Sequence, residues 1–134
     1  MKIKNLIIDG KGVIYKKVNG KRELKKNVKQ TLKKLSEKYN LYMLTDSHQT
    51  LKEKKKFLKK QEVLQYFTKV RCTREHGDTK KENPNTYDTA LIQWNINEEE
   101  TIYIGHNNKE LKNASLAGLK TIKTTKLQQV LKTK

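Results

Sequence analysis

Apolar positions along this chain alternate between two periods. Short continuous runs, such as Leu6-Ile7-Ile8 and Leu41-Tyr42-Met43-Leu44, read as strands buried on both faces. Between them, residues such as Leu24, Val28, Leu32 and Leu35 recur at helical spacing. The pattern predicts strands at Ile3 to Ile8, Leu41 to Thr45, Lys69 to Thr73, Thr101 to Gly105 and Lys120 to Lys123. It predicts helices from Glu23 to Lys38, from Gln49 to Lys60, from Pro84 to about Trp94 and from Lys109 to Ala117. Short helical turns are expected over Val63 to Phe67 and Leu127 to Leu131. Pro84 suits a first helical turn, and Gly118 suits a left-handed helix end. Gly12 to Arg22 reads as a small flap, and Arg74 to Asn83 as a polar loop. Regular alternation of strand and helix implies an α/β fold, a Rossmann-like three-layer arrangement with a mainly parallel five-stranded sheet flanked by helices.

Length narrows this to one domain over residues 1–134, since 134 residues build a single core but not a core and a substantial second lobe. No apolar stretch reaches the length of a signal peptide or membrane span, so the expectation is a cytoplasmic protein without membrane contact. Cys72, the sole cysteine, falls in a predicted strand and reads as a small buried hydrophobe. Tyr39, Tyr42, Tyr66, Tyr87, Tyr103 and Trp94 read as core or core-edge packing. His48 and His76 have no partners at zinc-like spacing.

The net charge of +17 changes the picture by raising polyanions, nucleic acid included, as partners. Only Arg22, Arg71 and Arg74 supply guanidinium groups, and lysines make up all the remaining basic residues. They are spread over nearly every helix without interleaved aromatics, the pattern of solvated faces more than of a stacking platform.

Candidate chemistry starts at the end of the first strand. Ligands in open α/β sheets bind beyond the carboxyl ends of the strands, which is where Asp9 falls, with Gly10 and Gly12 permitting a tight turn beside it. Asp9-Gly10-Lys11-Gly12-Val13 is similar to the Asp-x-Asp-Gly-Thr/Val motif of the haloacid dehalogenase superfamily, most of whose members are Mg²⁺-dependent phosphatases. Further along, Thr45 ends the second strand within Tyr42-Met43-Leu44-Thr45-Asp46-Ser47. Lys81-Glu82-Asn83-Pro84-Asn85-Thr86-Tyr87 resembles the lysine motif, and Gly105-His106-Asn107-Asn108-Lys109-Glu110 resembles the fourth motif, Gly-Asp-x-x-x-Asp. The four motifs appear in the family's order and span nearly the whole chain.

The resemblance implies that Asp9 is the nucleophile, that Thr45 and Lys81 surround the phosphoryl group, and that Asp9 and Glu110 face Mg²⁺; Asp46, where the family often has a neutral residue, is a further candidate beside the phosphate. It also implies a capless member, because only about two dozen residues separate the first two motifs. Such members act on large phosphorylated substrates, macromolecules among them. The departures lie in the same motifs. Lys11 occupies the acid/base position, and an ammonium with a pKa near 10.4 is a poor base at neutral pH. His106 replaces the first acid of the fourth motif. Lys11 is therefore expected to substitute in part for the divalent cation, and Asp46 to pair with Lys11 in preference to acting as a displaced base. Three functions compete: a phosphatase of weak or metal-independent activity, an inactive relative that binds a phosphorylated ligand or protein, and a basic nucleic-acid-binding module.

Overall fold

The computed structural model describes residues 2–80 and 82–132. Its elements, in chain order, are β1 (Asn5–Ile8), β2 (Tyr15–Val18), β3 (Lys21–Leu24), α1 (Val28–Ser36), β4 (Asn40–Thr45), α2 (Leu51–Lys60) and β5 (Lys69–Cys72). They continue with α3 (Asn85–Trp94), β6 (Thr101–Gly105), α4 (Asn108–Leu116) and β7 (Lys120–Lys123). Short 3-10 turns occupy Leu64–Tyr66 and Leu127–Lys132, where helical turns are predicted.

The five parallel strands run in the order β5-β4-β1-β6-β7. β1 is central, and all four of its residues are buried, as its unbroken apolar run requires. Alternation along the strands separates two cores. Leu6, Ile8, Met43 and Ile104 face α1 and α2, meeting Leu32, Leu35 and Leu58. Ile7, Leu44 and Tyr103 face the other way, toward Tyr87 and Leu91 of α3 and Ala114 of α4. The result is the three-layer arrangement expected from the sequence.

One boundary moves substantially. The predicted helix from Glu23 to Lys38 begins only at Val28, because Lys21–Leu24 pair antiparallel with Tyr15–Val18. The turn between these strands is Asn19-Gly20, and both residues have positive φ (53° and 78°), the backbone twist a tight hairpin needs. Asn27, also left-handed at φ 66°, then redirects the chain into α1. The flap expected over Gly12 to Arg22 is this hairpin, extended to Leu24. Gly118 follows α4 at φ 93° in the left-handed region, as expected. Pro84 sits one place before the first residue of α3.

Candidate active site

Parallel strands deliver their last residues to one edge of the sheet. β1 delivers Asp9, β4 delivers Thr45 and Asp46, and β6 delivers Gly105 and His106. Asp9 is held by its own backbone, whose N–H donates to Ile104 O at 2.9 Å. The Gly10 N–H donates to Asp9 Oδ1 at 2.9 Å. Residues 10–15 then curl into a turn closed by the Ile14 N–H on Gly10 O (2.8 Å), which folds Tyr15 back toward the sheet edge. Asp9, Lys11, Thr45, Asp46, His106 and Glu110 all line one open groove of about 690 Å³, joined there by Tyr15 and by Lys17 and Arg22 of the flap.

The cation beside Asp9 is Lys80. Its ammonium is fully buried and donates to Asp9 Oδ1 (2.6 Å), Leu44 O (2.7 Å) and the Tyr103 hydroxyl (3.0 Å), with Glu110 Oε1 at 3.2 Å. Burial alone would lower the pKa of Lys80, but the Asp9 and Glu110 carboxylates outweigh it and raise the pKa above the ordinary value. Glu110 Oε1 also accepts from Tyr103 (3.0 Å), while burial holds the Tyr103 phenol protonated well past its usual range. Lys81, the lysine the sequence singles out, lies outside the described residues. Lys80 is its immediate neighbour in a Lys-Lys pair, and the Lys80 ammonium turns inward.

Asp46 accounts for that path. The Lys80 backbone N–H donates to both Asp46 oxygens at 3.0 Å, and the Thr73 hydroxyl donates to Oδ1 at 2.5 Å. On the other side, Asn113 Nδ2 donates to Lys80 O at 2.8 Å. Asp46 therefore anchors the lysine loop. The expected Asp46–Lys11 pair does not form: among the described residues Lys11 makes no ion pair, and its side chain is exposed in the groove. The physical reason is that Asp46's lone pairs already meet buried donors across the β4–β5 edge, which a flexible surface ammonium does not displace.

Thr45 is buried, and its Oγ1 accepts from the Ser47 N–H at 3.2 Å. A Cβ added to Gly10 would lie only 3.0 Å from this oxygen, so the first and second motifs are pressed together. Gly105 must lack a side chain for a similar reason, with the Tyr103 ring 2.7 Å from where a Cβ would lie. Asn107 caps α4, its Oδ1 accepting from the Glu110 N–H at 3.1 Å, and so aims Glu110 at Lys80.

His106 occupies a telling place. Its Nε2 lies 3.1 Å from Lys11 O and 3.6 Å from Asp9 Oδ2. A carbonyl can only accept, so this nitrogen carries a hydrogen aimed between two oxygens. Gly12, at φ 96°, makes room: any Cβ there would collide with the imidazole.

Two residues escaped the sequence reading. Tyr15, to which the sequence reading gives no role, places its hydroxyl against Gly10 and lines the groove. Lys54 of α2 is fully buried, donates to that hydroxyl and sits 4.0 Å from the centre of the Tyr15 ring. Burial, aided by the Arg22 charge, brings its pKa down to about 7. The signal was present in the chain, because Lys54 falls between Leu51 and Leu58 on the apolar stripe of α2, but it is hidden within the lysine run Lys52 to Lys60.

Residues 6–124 match the sequence profile of the family described as haloacid dehalogenase-like hydrolase. No curated protein matches the sequence. Among solved structures, an uncharacterized protein from Listeria monocytogenes serotype 4b is similar at TM-score 0.80 and 18% identity, covering 89% of this chain and 76% of that one. A HAD family enzyme from Bacteroides thetaiotaomicron, an Asp-to-Ala variant in complex with magnesium and inorganic phosphate, is similar at TM-score 0.76 and 19% identity, covering 90% and 93%. A HAD-superfamily hydrolase of subfamily IA from Geobacter sulfurreducens gives TM-score 0.76 at 12% identity, covering 97% and 98%.

Proposed function

The chain belongs to the haloacid dehalogenase-like hydrolases, and on that premise we propose that it is a slow phosphohydrolase with Asp9 as nucleophile. The observation that carries this reading is the buried Asp9–Lys80 pair at the mouth of a groove shared with Thr45. Asp9 Oδ1 is engaged by the Gly10 N–H and Lys80, whereas Oδ2 accepts no hydrogen bond of ordinary length and is the free nucleophilic oxygen. In the first step Oδ2 bonds to phosphorus while the P–O bond to the leaving group breaks, the leaving oxygen keeping the electron pair. The Thr45 hydroxyl, which lines the groove, would stabilise negative charge on the transferred group, while the buried Lys80 ammonium, its hydrogens spent on Asp9, Leu44 O and Tyr103, holds Asp9 in place. In the second step water oxygen bonds to phosphorus, the Asp9 O–P bond breaks, and inorganic phosphate leaves with the water's proton lost to solvent.

Magnesium, present in the Bacteroides relative, would supply further neutralisation of phosphoryl charge. The residues here do not fit it. Asp9 Oδ1 and Glu110 Oε1 both face Lys80, and His106 Nε2 sits between Asp9 Oδ2 and Lys11 O. Among the described residues no three acid, histidine or cysteine side chains are placed to hold a metal ion. Magnesium needs a near-octahedral set of oxygens, and an imidazole N–H offers none. The proposed activity is therefore metal-independent.

With Lys11 in the acid/base position, no carboxylate protonates a leaving oxygen or activates water. An aryl phosphate needs no proton for its leaving group, so phosphorylation of Asp9 should outrun hydrolysis of the intermediate. The expected result is a burst of about one phenolate per chain followed by slow release, measured by rapid-mixing absorbance. Asp9→Asn should abolish the burst, and Lys11→Asp should raise the slow phase by about 10²-fold, the lower range for general acid–base catalysis. A burst that survives Asp9→Asn would remove Asp9 as nucleophile. No burst in any variant would favour the inactive, ligand-binding reading.

A further inference from the structure

The flap has two faces, and they differ in charge. On one, Lys16 stands opposite Glu23, a cross-strand pair of opposite sign. On the other, Lys17 stands directly opposite Arg22, a pair of like charges, and both line the groove that contains Asp9. Like charges facing each other across a two-stranded ribbon are unfavourable unless something between them compensates.

Glu53 feels the Arg22 charge, but only from beyond ion-pair distance. Among the described residues neither Lys17 nor Arg22 has a carboxylate within 4.0 Å. Arg22 Nε is buried and has no hydrogen-bond partner, an orphaned donor on a charged group. The acids of this region are already engaged. Glu53 accepts from the Thr50 N–H at 2.8 Å in a capping box, and Asp46 holds the Lys80 loop. Glu82, on the groove's opposite rim, accepts from the Thr79 hydroxyl at 2.7 Å. Lys54 adds a third positive group behind Tyr15, and both Arg22 and Lys17 depress its pKa, as mutually repelling cations do.

An uncompensated cation pair with an orphaned guanidinium donor, facing a groove, is the complement of an anion. Resting on the phosphohydrolase reading above, we infer that Lys17 and Arg22 form a second anion-binding subsite, which takes a phosphoryl group of the substrate other than the one that reaches Asp9. The substrate class is then a compound bearing two phosphoryl groups, either linked as in a pyrophosphate or carried on one small scaffold. Arg22 supplies the planar fork that suits a phosphate, and Lys17 adds a point charge on the solvent side.

The test is isothermal titration in metal-free buffer with two probes, inorganic phosphate and methylenediphosphonate, whose P–C–P bridge resists hydrolysis. Wild type should bind methylenediphosphonate at least about ten-fold more tightly than phosphate. Arg22→Gln should erase that excess while leaving phosphate affinity within about two-fold. Lys60→Gln, which removes an equal charge from the exposed end of α2, should leave the excess intact. Thermal melting adds a readout that a structural role would move oppositely: relieving the like-charge pair should leave the Arg22→Gln melting temperature unchanged or higher. Equal affinity of wild type for the two probes, or an equal loss of both affinities in Arg22→Gln, overturns the subsite and leaves Asp9 chemistry standing. Failure of wild type to bind phosphate at all overturns both.

Discussion

At the scale of single residues, the proposed metal independence turns on His106. Its Nε2 faces Asp9 Oδ2 and Lys11 O, and Gly12 lies beneath it with no side chain to push it away. Replacing the imidazole by a carboxylate turns this point into a set of oxygens from Asp9, Lys11 and the new aspartate, a hard-cation environment. His106→Asp should therefore be less stable than wild type in metal-free buffer, because two carboxylates then face each other. Millimolar Mg²⁺ should raise its melting temperature by several degrees, while wild type shows no such shift. Mg²⁺ stabilisation of wild type to the same extent would contradict the geometric argument.

Between elements, the contact of α2 with the flap concentrates a different tension. Lys54 belongs to a helix whose other lysines point to solvent, yet its own ammonium is buried against the Tyr15 and Phe57 rings. A pKa near 7 in the folded chain, against about 10.5 when unfolded, means that the unfolded chain binds more protons between these values. Stability from this group is thus fully present above about pH 10.5 and is lost as pH falls through about 7. Lys54→Met should remove this dependence. Urea unfolding at pH 6 should find the variant about 1–3 kcal/mol more stable than wild type, with the difference shrinking by pH 9.5. A constant difference across that range would mean that Lys54 does not titrate there. The flap itself was partly legible, since Asn19-Gly20 is a strong hairpin signal between alternating residues. The apolar spacing of Leu24 with Val28 hid it by continuing the helical pattern backwards.

For the molecule as a whole, the net charge of +17 is largely unopposed. Among the described residues Lys4, Lys29 and Lys80 are the lysines that meet a carboxylate within 4.0 Å. The others repel one another through solvent, which disfavours a compact chain. Raising NaCl from about 20 mM to about 300 mM shortens the Debye length from about 20 Å to about 6 Å. The melting temperature should therefore rise by a few degrees, contrary to a protein held by surface ion pairs, and scanning calorimetry checks it. Among the described residues no helix is long and apolar enough to cross a membrane.

The sequence by itself determined the order of the five sheet strands and the four helices, though not the β2–β3 hairpin, because period-2 and period-3.6 burial are written residue by residue. It also placed Asp9 at the carboxyl edge of the sheet, and the resemblance of its motifs singled out Thr45 and Glu110, which line the same groove. Only the tertiary structure decided that Lys80 turns inward, that Asp46 anchors its loop instead of meeting Lys11, and that Lys54 is buried. The reason is that a lysine carries the same local signal whether its ammonium reaches water or a carboxylate. Which it reaches depends on donors and acceptors brought from far along the chain, and no window of neighbouring residues contains them.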